Sequence, residues 1–275
     1  MFCLPLSPLS WVLCHIKRSG LENVMKCGKV YLIGAGPGDA DLLTVKAARL
    51  IGQVDTILMD DLVNRDVLRY ARTDAEVIYV GKRGGRVSTP QEHIDQLCLE
   101  HVGAGKDVAR LKGGDPFIFG RGGEELCTLR QAGIAVEVIS GLTSGIAVPA
   151  AFDIPLTYRH IAQTVTFVTG TSSGNDEVCW RSMVELSGTL VIYMGISRIE
   201  HITQRLLASG LDPDMPAAAI QNGTLTGQRF LLSRVCALAA DIRAAKLQSP
   251  AILIIGSVVN LAYPRPEMTS HHRLE

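Results

Sequence analysis

The sequence predicts an α/β protein of two domains, with a mostly parallel sheet in the first and a mixed sheet in the second. Three observations predict it. Short continuous apolar runs alternate with amphipathic stretches from Lys29 onward, as strands buried on both faces require. Gly, Asp or Ser follows each early run, where a parallel strand would hand over to a helix. A segment punctuated by Pro149 and Pro155, residues 148–159, divides the pattern. At 275 residues, 47% hydrophobic and 20% charged, the chain can bury one large core or two small ones.

The elements follow in order. In the first half, the apolar runs 30–33, 56–59, 77–80, 108–111 and 136–139 read as strands. Residues 42–51 repeat apolar side chains at three- and four-residue spacing and read as a helix. Thr89-Pro90-Gln91-Glu92 opens another, with a Thr cap, Pro at the first helical position and Glu three residues after the cap. In the second half, 165–168, 189–193, 217–220, 229–232 and 251–255 read as strands. Ser197-Arg198-Ile199-Glu200 reads as a capping box, and 235–245 as a further helix. The expected division is a flexible extension 1–27, domains 28–150 and 151–263, and a polar tail 264–275. Residues 2–16 are apolar but hold two prolines and no basic lead, and they are too short to span a bilayer.

Charge and cysteine content narrow the function. The 27 basic and 27 acidic residues cancel, and no basic stripe is visible, which argues against a general nucleic-acid binder. Any anionic partner must meet a local cluster of Arg, Lys and His. The seven cysteines form no C-x-x-C pair, so neither zinc nor a disulfide framework is expected. Reduced thiols and a cytoplasmic location are the simplest expectation.

Three glycine-rich loops carry the chemistry. The first, Gly34-Ala35-Gly36-Pro37-Gly38-Asp39, follows the first strand. It reads either as a tight turn or as a ligand loop. Asp60 ends the second strand where a ribose-binding acid of a dinucleotide site would sit. A dinucleotide fingerprint, however, needs Gly where Asp39 stands, and Asp39 would repel a pyrophosphate. The second loop runs from Gly113-Gly114-Asp115 through Phe117, Ile118 and Phe119 to Gly120. Asp115 can accept from a ligand amine or hydroxyl, and the apolar residues can form walls. The third, residues 140–145, offers backbone donors with Thr143 and Ser144, which could instead cap the following helix. All three follow strands of one parallel sheet, at the carboxyl ends where ligands bind. They suit a small ligand with amino, carboxyl and ribose groups and no phosphate.

At these residues the chain resembles the tetrapyrrole methylase family, from Lys29 to about Asn260. Val30-Tyr-Leu-Ile-Gly-Ala-Gly-Pro-Gly-Asp39 is similar to the family's first signature, and Val80-Gly-Lys-Arg83 to its next block. The run Arg110-Leu-Lys-Gly-Gly-Asp-Pro-Phe-Ile-Phe-Gly-Arg-Gly-Gly-Glu-Glu125 is similar to the central block. Ile154-Pro-Leu-Thr157 with Arg159, Tyr193-Met194-Gly195 and Gln221-Asn-Gly-Thr224 are similar to later ones. The chain departs from the family at Ser140, usually Pro, at Tyr158, usually His, and at Asp61, more often basic.

The resemblance implies two α/β domains with a cofactor cleft between them, and a homodimer. It implies S-adenosylmethionine as methyl donor, with S-adenosylhomocysteine as product. Donor contacts are implied at Pro37, Gly113, Gly114, Asp115, Ile118, Thr143, Ser144, Met194, Gly223 and Ala251. The implied activity is C-methylation of uroporphyrinogen III at C-2 and C-7 to give precorrin-2, in a single-function form without a dehydrogenase–chelatase domain. Sirohaem, cobalamin and haem d1 all branch from that product. A methylase of a later precorrin is the nearest alternative, and a non-catalytic dinucleotide-binding protein a more distant one.

The substrate carries eight carboxylates, for which bidentate Arg is the suited clamp. Arg83, Arg86, Arg121 and Arg159 with His160 form the candidate cluster. Alkylating a pyrrole carbon demands later loss of a proton. Arg121 and Glu124 lie three apart at an expected helix start and can face one cleft. They are expected to orient or deprotonate substrate together, although a basic role for Arg is chemically awkward. The resemblance further suggests Asp60 as proton acceptor and Lys82 as donor.

Overall fold

The protein is described here from a computed structural model covering residues 28–81, 90–171 and 178–262. The first half contains β1 (Val30–Gly34), α1 (Val45–Ile51), β2 (Thr56–Met59), β3 (Glu76–Tyr79), α2 (Gln91–Gly103), β4 (Val108–Lys112), α3 (Gly122–Gln131), β5 (Val136–Ile139) and α4 (Ser144–Ala151). Its strands pair in the order β3-β2-β4-β1-β5, all parallel. Successive strand residues face opposite cores. Ile57, Met59, Ala109 and Leu111 join α1 residues Ala47, Leu50 and Ile51. Leu58 and Val108 join Ile94, Cys98 and Val102 of α2 and Leu129 of α3. Burial on both faces is why these strands read as unbroken apolar runs.

The second half contains β6 (Val165–Thr169), α5 (Trp180–Glu185), β7 (Thr189–Tyr193), α6 (Ile199–Ala208), β8 (Pro216–Gln221), β9 (Arg229–Arg234), α7 (Leu238–Ala244) and β10 (Ala251–Ile255). The order is β6-β7-β10-β8-β9, parallel only between β6 and β7. The sheet is therefore mixed, as expected. Leu190 and Ile192 pack with α5, α6 and α7. On the other face, Val191 and Ile254 pack with Val148 and Phe152 at the end of α4. The last helix of the first half thus cements the second sheet, and residues 148–151 belong to α4 rather than to a linker.

Several expected helix starts move. The expected helix 42–51 splits into a 3-10 turn, Ala40–Leu42, and α1, because the Thr44 hydroxyl accepts from the Ala47 N–H at 3.2 Å and begins a new helix. The capping box at Ser197 does not form. A 3-10 turn closed by Arg198 N–H to Gly195 O runs straight into α6. The expected helix 235–245 starts only at Leu238, because the N–H groups of Val235 and Cys236 are spent on Met215 O and Pro213 O. The expected Thr89 cap lies outside the described residues, and Pro90, expected as the first helical residue, is instead the extended residue just before α2. Among the described residues no helix is long and apolar enough to cross a membrane.

Candidate active site

The strand order decides the site. β4, β1 and β5 are neighbours, so the three glycine loops at their carboxyl ends lie side by side. Gly36 and Gly114 exchange two backbone hydrogen bonds, 3.2 and 2.7 Å. A side chain on Gly34 would meet the Gly141 nitrogen at 2.5 Å, and one on Gly141 would meet the Gly114 oxygen at 2.3 Å. These glycines let three backbones touch one another. Asp115 fastens the junction. Its Oδ1 accepts from Phe117 N–H at 2.8 Å and its Oδ2 from Gly141 N–H at 3.1 Å. Each oxygen keeps a further lone pair for a ligand donor.

The second domain closes over this junction. Thr224 Oγ1 accepts from the Asp39 N–H at 3.1 Å, and Gly38 abuts Leu225. Gly223 abuts Val148 of α4, and Ala251 pairs with Gln221 at the start of β10. The Tyr193 hydroxyl meets Thr143 Oγ1 at 2.7 Å and the Gly145 N–H at 2.8 Å. Thr143 makes no capping bond to its own helix. Met194 follows with a left-handed φ of 54° and stands exposed.

Between the domains lies an open cleft of about 770 Å³. Phe117, Phe119, Arg121 and Glu124 line it from the first domain, and Thr169, Thr171 and Met194 from the second. Ile118, expected on the same wall, turns instead toward the core between the domains. Arg121 precedes α3 with a left-handed φ of 57°, and its Nε lies 3.1 Å from both Glu124 carboxylate oxygens. That hydrogen bond holds the Arg121 guanidinium above its ordinary value and the Glu124 carboxyl below its own. Raising the Arg121 value disfavours proton abstraction by its guanidinium.

The remaining expected residues fall elsewhere. Arg159 and His160 stand exposed on a tight turn closed by Tyr158 and Ala162, and they are not among the residues lining the cleft. Lys82, Arg83 and Arg86 lie outside the described residues. Asp60 borders a separate small pocket with Asp61, Arg65 and Tyr79. Among the described residues no group of His, Cys, Asp or Glu is arranged to hold a metal ion.

Asp60 also touches a buried ionic network that the sequence did not reveal. Arg110 Nη2 donates to Asp60 Oδ1 at 2.7 Å and approaches Glu125 Oε1 at 3.3 Å. Lys112 Nζ and Gln91 Nε2 donate to the same Glu125 oxygen at 2.9 and 3.0 Å. Gln91 reaches on to Asp95 Oδ1 at 3.1 Å. Burial lowers the Arg110 pKa, but Asp60 and Glu125 outweigh it and hold the group above its ordinary value. Burial pushes the Asp95 carboxyl up. The signal available was two cations in β4, a strand whose neighbours read as fully buried; such charges must be paired.

The sequence profile of the Tetrapyrrole (Corrin/Porphyrin) Methylases matches residues 29–239. The chain belongs to this family. This tetrapyrrole methylase is 46% identical over 239 residues to the uroporphyrinogen-III C-methyltransferase of Pseudomonas aeruginosa, covering 87% of this chain and 97% of that one. It is 47% identical over 235 residues to the siroheme synthase of Acinetobacter baylyi, covering 85% of this chain but 51% of that one. The chain thus spans about half the length of the siroheme synthase it matches. The crystal structure of the Thermus thermophilus uroporphyrin-III C-methyltransferase in complex with S-adenosylhomocysteine superposes with a TM-score of 0.72 at 37% identity, covering 85% of this chain and 94% of that one.

Proposed function

We propose that this protein transfers methyl groups from S-adenosylmethionine to C-2 and C-7 of uroporphyrinogen III, giving precorrin-2. The observation that carries the reading is the inter-domain cleft, lined by Phe117 and Phe119 of the second glycine loop, by Met194 and by the Arg121–Glu124 pair. The residues fit the donor. Asp115 retains lone pairs for an amine or hydroxyl, Phe117, Phe119 and Met194 supply apolar walls, and Asp39 disfavours a pyrophosphate. When bound, S-adenosylmethionine supplies an electrophilic methyl group.

The protein's task is then placement. Pro37, Gly113, Gly114, Asp115, Ile118, Thr143, Ser144, Met194, Gly223 and Ala251 hold the donor. The reacting carbon must be brought to about 3–3.5 Å from the methyl, and such alignment supplies much of the rate. Arg121, fixed by Glu124, clamps a substrate carboxylate in the cleft. Arg83, Arg86, Arg159 and His160 hold further carboxylates of the substrate. Asp60, fastened by Arg110, accepts the one proton that each alkylation releases, and Lys82 holds a substrate carboxylate. The two domains divide near residues 150–151. The protein works as a cytoplasmic homodimer, and its product serves sirohaem, cobalamin and haem d1 formation.

Incubation with uroporphyrinogen III and S-adenosylmethionine, read by product mass, tests the proposal. Two added methyl groups are expected. No addition overturns it, and methylation only of an already methylated precorrin replaces it with the later-pathway alternative. Thermal stabilisation by NAD but not by S-adenosylhomocysteine would remove the methyltransferase reading altogether.

A further inference from the structure

We infer that Tyr193 is a positioning residue for the methyl donor, holding the third glycine loop in place from the opposite domain. The inference rests on assigning Thr143 and Ser144 to the donor site. Tyr193 ends β7, and only 8% of it is exposed. Its hydroxyl does work that the loop does not do for itself. Gly145 is the second residue of α4, so its N–H has no partner within the helix. The residue before the helix, Thr143, would ordinarily supply the cap, yet it makes no such bond. The Tyr193 hydroxyl takes that place, accepting from Gly145 N–H at 2.8 Å while bonded to Thr143 Oγ1 at 2.7 Å. The helix is capped across the domain boundary.

The fit leaves no slack. A side chain on Gly145 would lie 2.2 Å from the Tyr193 oxygen. The Tyr193 ring stacks at a tilt against Phe119 of the second loop, with centroids 4.9 Å apart, and meets Phe167 edge-on at 6.0 Å. The left-handed turn at the next residue puts Met194 on the cleft wall. Tyr193 therefore touches two of the three glycine loops and adjoins a residue facing the donor. Without its hydroxyl, the ring still packs but the 143–145 loop is held less firmly. The donor must then order that loop when it binds, and apparent affinity falls by the fraction of time the loop is correctly placed.

The test is calorimetric binding of S-adenosylhomocysteine to the full chain, with steady-state kinetics at varied S-adenosylmethionine. For Tyr193→Phe, Kd for S-adenosylhomocysteine and KM for S-adenosylmethionine are expected to rise about tenfold, with kcat within about twofold. Thr143→Val removes the Thr143 bond but leaves the Gly145 cap and should raise Kd by less than Tyr193→Phe, whereas Thr143→Ser keeps the hydroxyl and should bind as the unaltered protein does. Ile242→Val, a core change in α7 away from the loop, should lower stability and leave Kd unchanged. Unchanged Kd and KM in Tyr193→Phe, a loss confined to kcat, or an equal Kd rise in Ile242→Val overturns the inference while leaving the donor site standing. Failure of the unaltered protein to bind S-adenosylhomocysteine overturns both.

Discussion

Glu124 and Glu125 are consecutive residues of α3, and about 100° of helical rotation sends them to different environments. Glu124 is exposed on the cleft wall and pairs with Arg121, itself exposed. Glu125 is 1% exposed and gathers Arg110, Lys112 and Gln91 onto one oxygen. The same functional group does opposite work on the two faces. In water, the Arg121–Glu124 attraction is screened and adds little to stability, which leaves the pair available to a charged ligand. Inside the protein, the Arg110 and Lys112 charges are tolerated because Glu125 and Asp60 answer them. One pair lines the open cleft, and the other holds the sheet's carboxyl end together.

Removing the buried carboxylate should have the largest effect. Glu125→Ala removes the buried one of the two carboxylates that face Arg110 and Lys112 and is expected to cost about 3–5 kcal/mol. At about 2–4 °C per kcal/mol for a chain of this size, the melting temperature should drop by roughly 6–20 °C. A thermal melt that moves by less than 2 °C or so would erase the contrast between the two glutamates.

The exposed pair should show the reverse profile. Arg121→Lys keeps the charge but loses the planar fork, and Glu124→Gln frees the Arg. Neither is expected to move the melting temperature by more than about 2 °C. Both are expected to lower kcat/KM for the tetrapyrrole about tenfold or more, with donor binding intact. Parallel losses of stability and activity in these variants would show that Arg121 and Glu124 serve the fold rather than the substrate.

The contrast also explains what the sequence made visible. Strands were legible because burial on both faces writes continuous apolar runs, as at β7 and β10, whose ends match the expectation. Helix starts were less so. Ser197 carries the right chemistry, but a backbone turn satisfies the helix first, and Val235 and Cys236 are bonded elsewhere. The glycine loops could be found, but not their shared junction, because the β4-β1-β5 order depends on long-range pairing. Glu125 was hidden for a plainer reason: two adjacent glutamates early in a helix read as solvated. Its burial is set by Arg110 and Lys112, more than ten residues earlier, on another element.

Asp95 offers a smaller effect within the buried network. Burial raises its folded pKa above the ordinary carboxylate value. The unfolded chain loses that proton near 3.8, while the folded protein keeps it to higher pH. As pH rises through this window the folded state binds more protons than the unfolded one, so stability falls, and above the folded pKa the penalty is constant. Asp95→Asn never carries the charge. Relative to the unaltered protein it should be more favourable at pH 7.5 than at pH 4, by thermal melts at both. The opposite sign would mean that Gln91, which favours the carboxylate by donating to it, outweighs burial.

The smallest effect concerns reactivity. Cys98 of α2 lies beside the buried network, and burial pushes its thiol up to about 12. Cys127 sits exposed on α3, on the solvent side of the same helix that buries Glu125. At pH 8, a thiol with a pKa near 12 is ionised to only about one part in ten thousand, and the thiolate is the reactive form. Iodoacetamide followed by peptide mass spectrometry should therefore modify Cys127 and spare Cys98 in the folded protein. The Glu125→Ala variant should expose Cys98 to the reagent well below its melting temperature, because the cations beside it lose their anchor. If Cys98 stays protected in that variant, the α2–α3 packing is held by its apolar contacts alone, and the network's contribution is confined to Asp60 and the carboxyl ends of the strands.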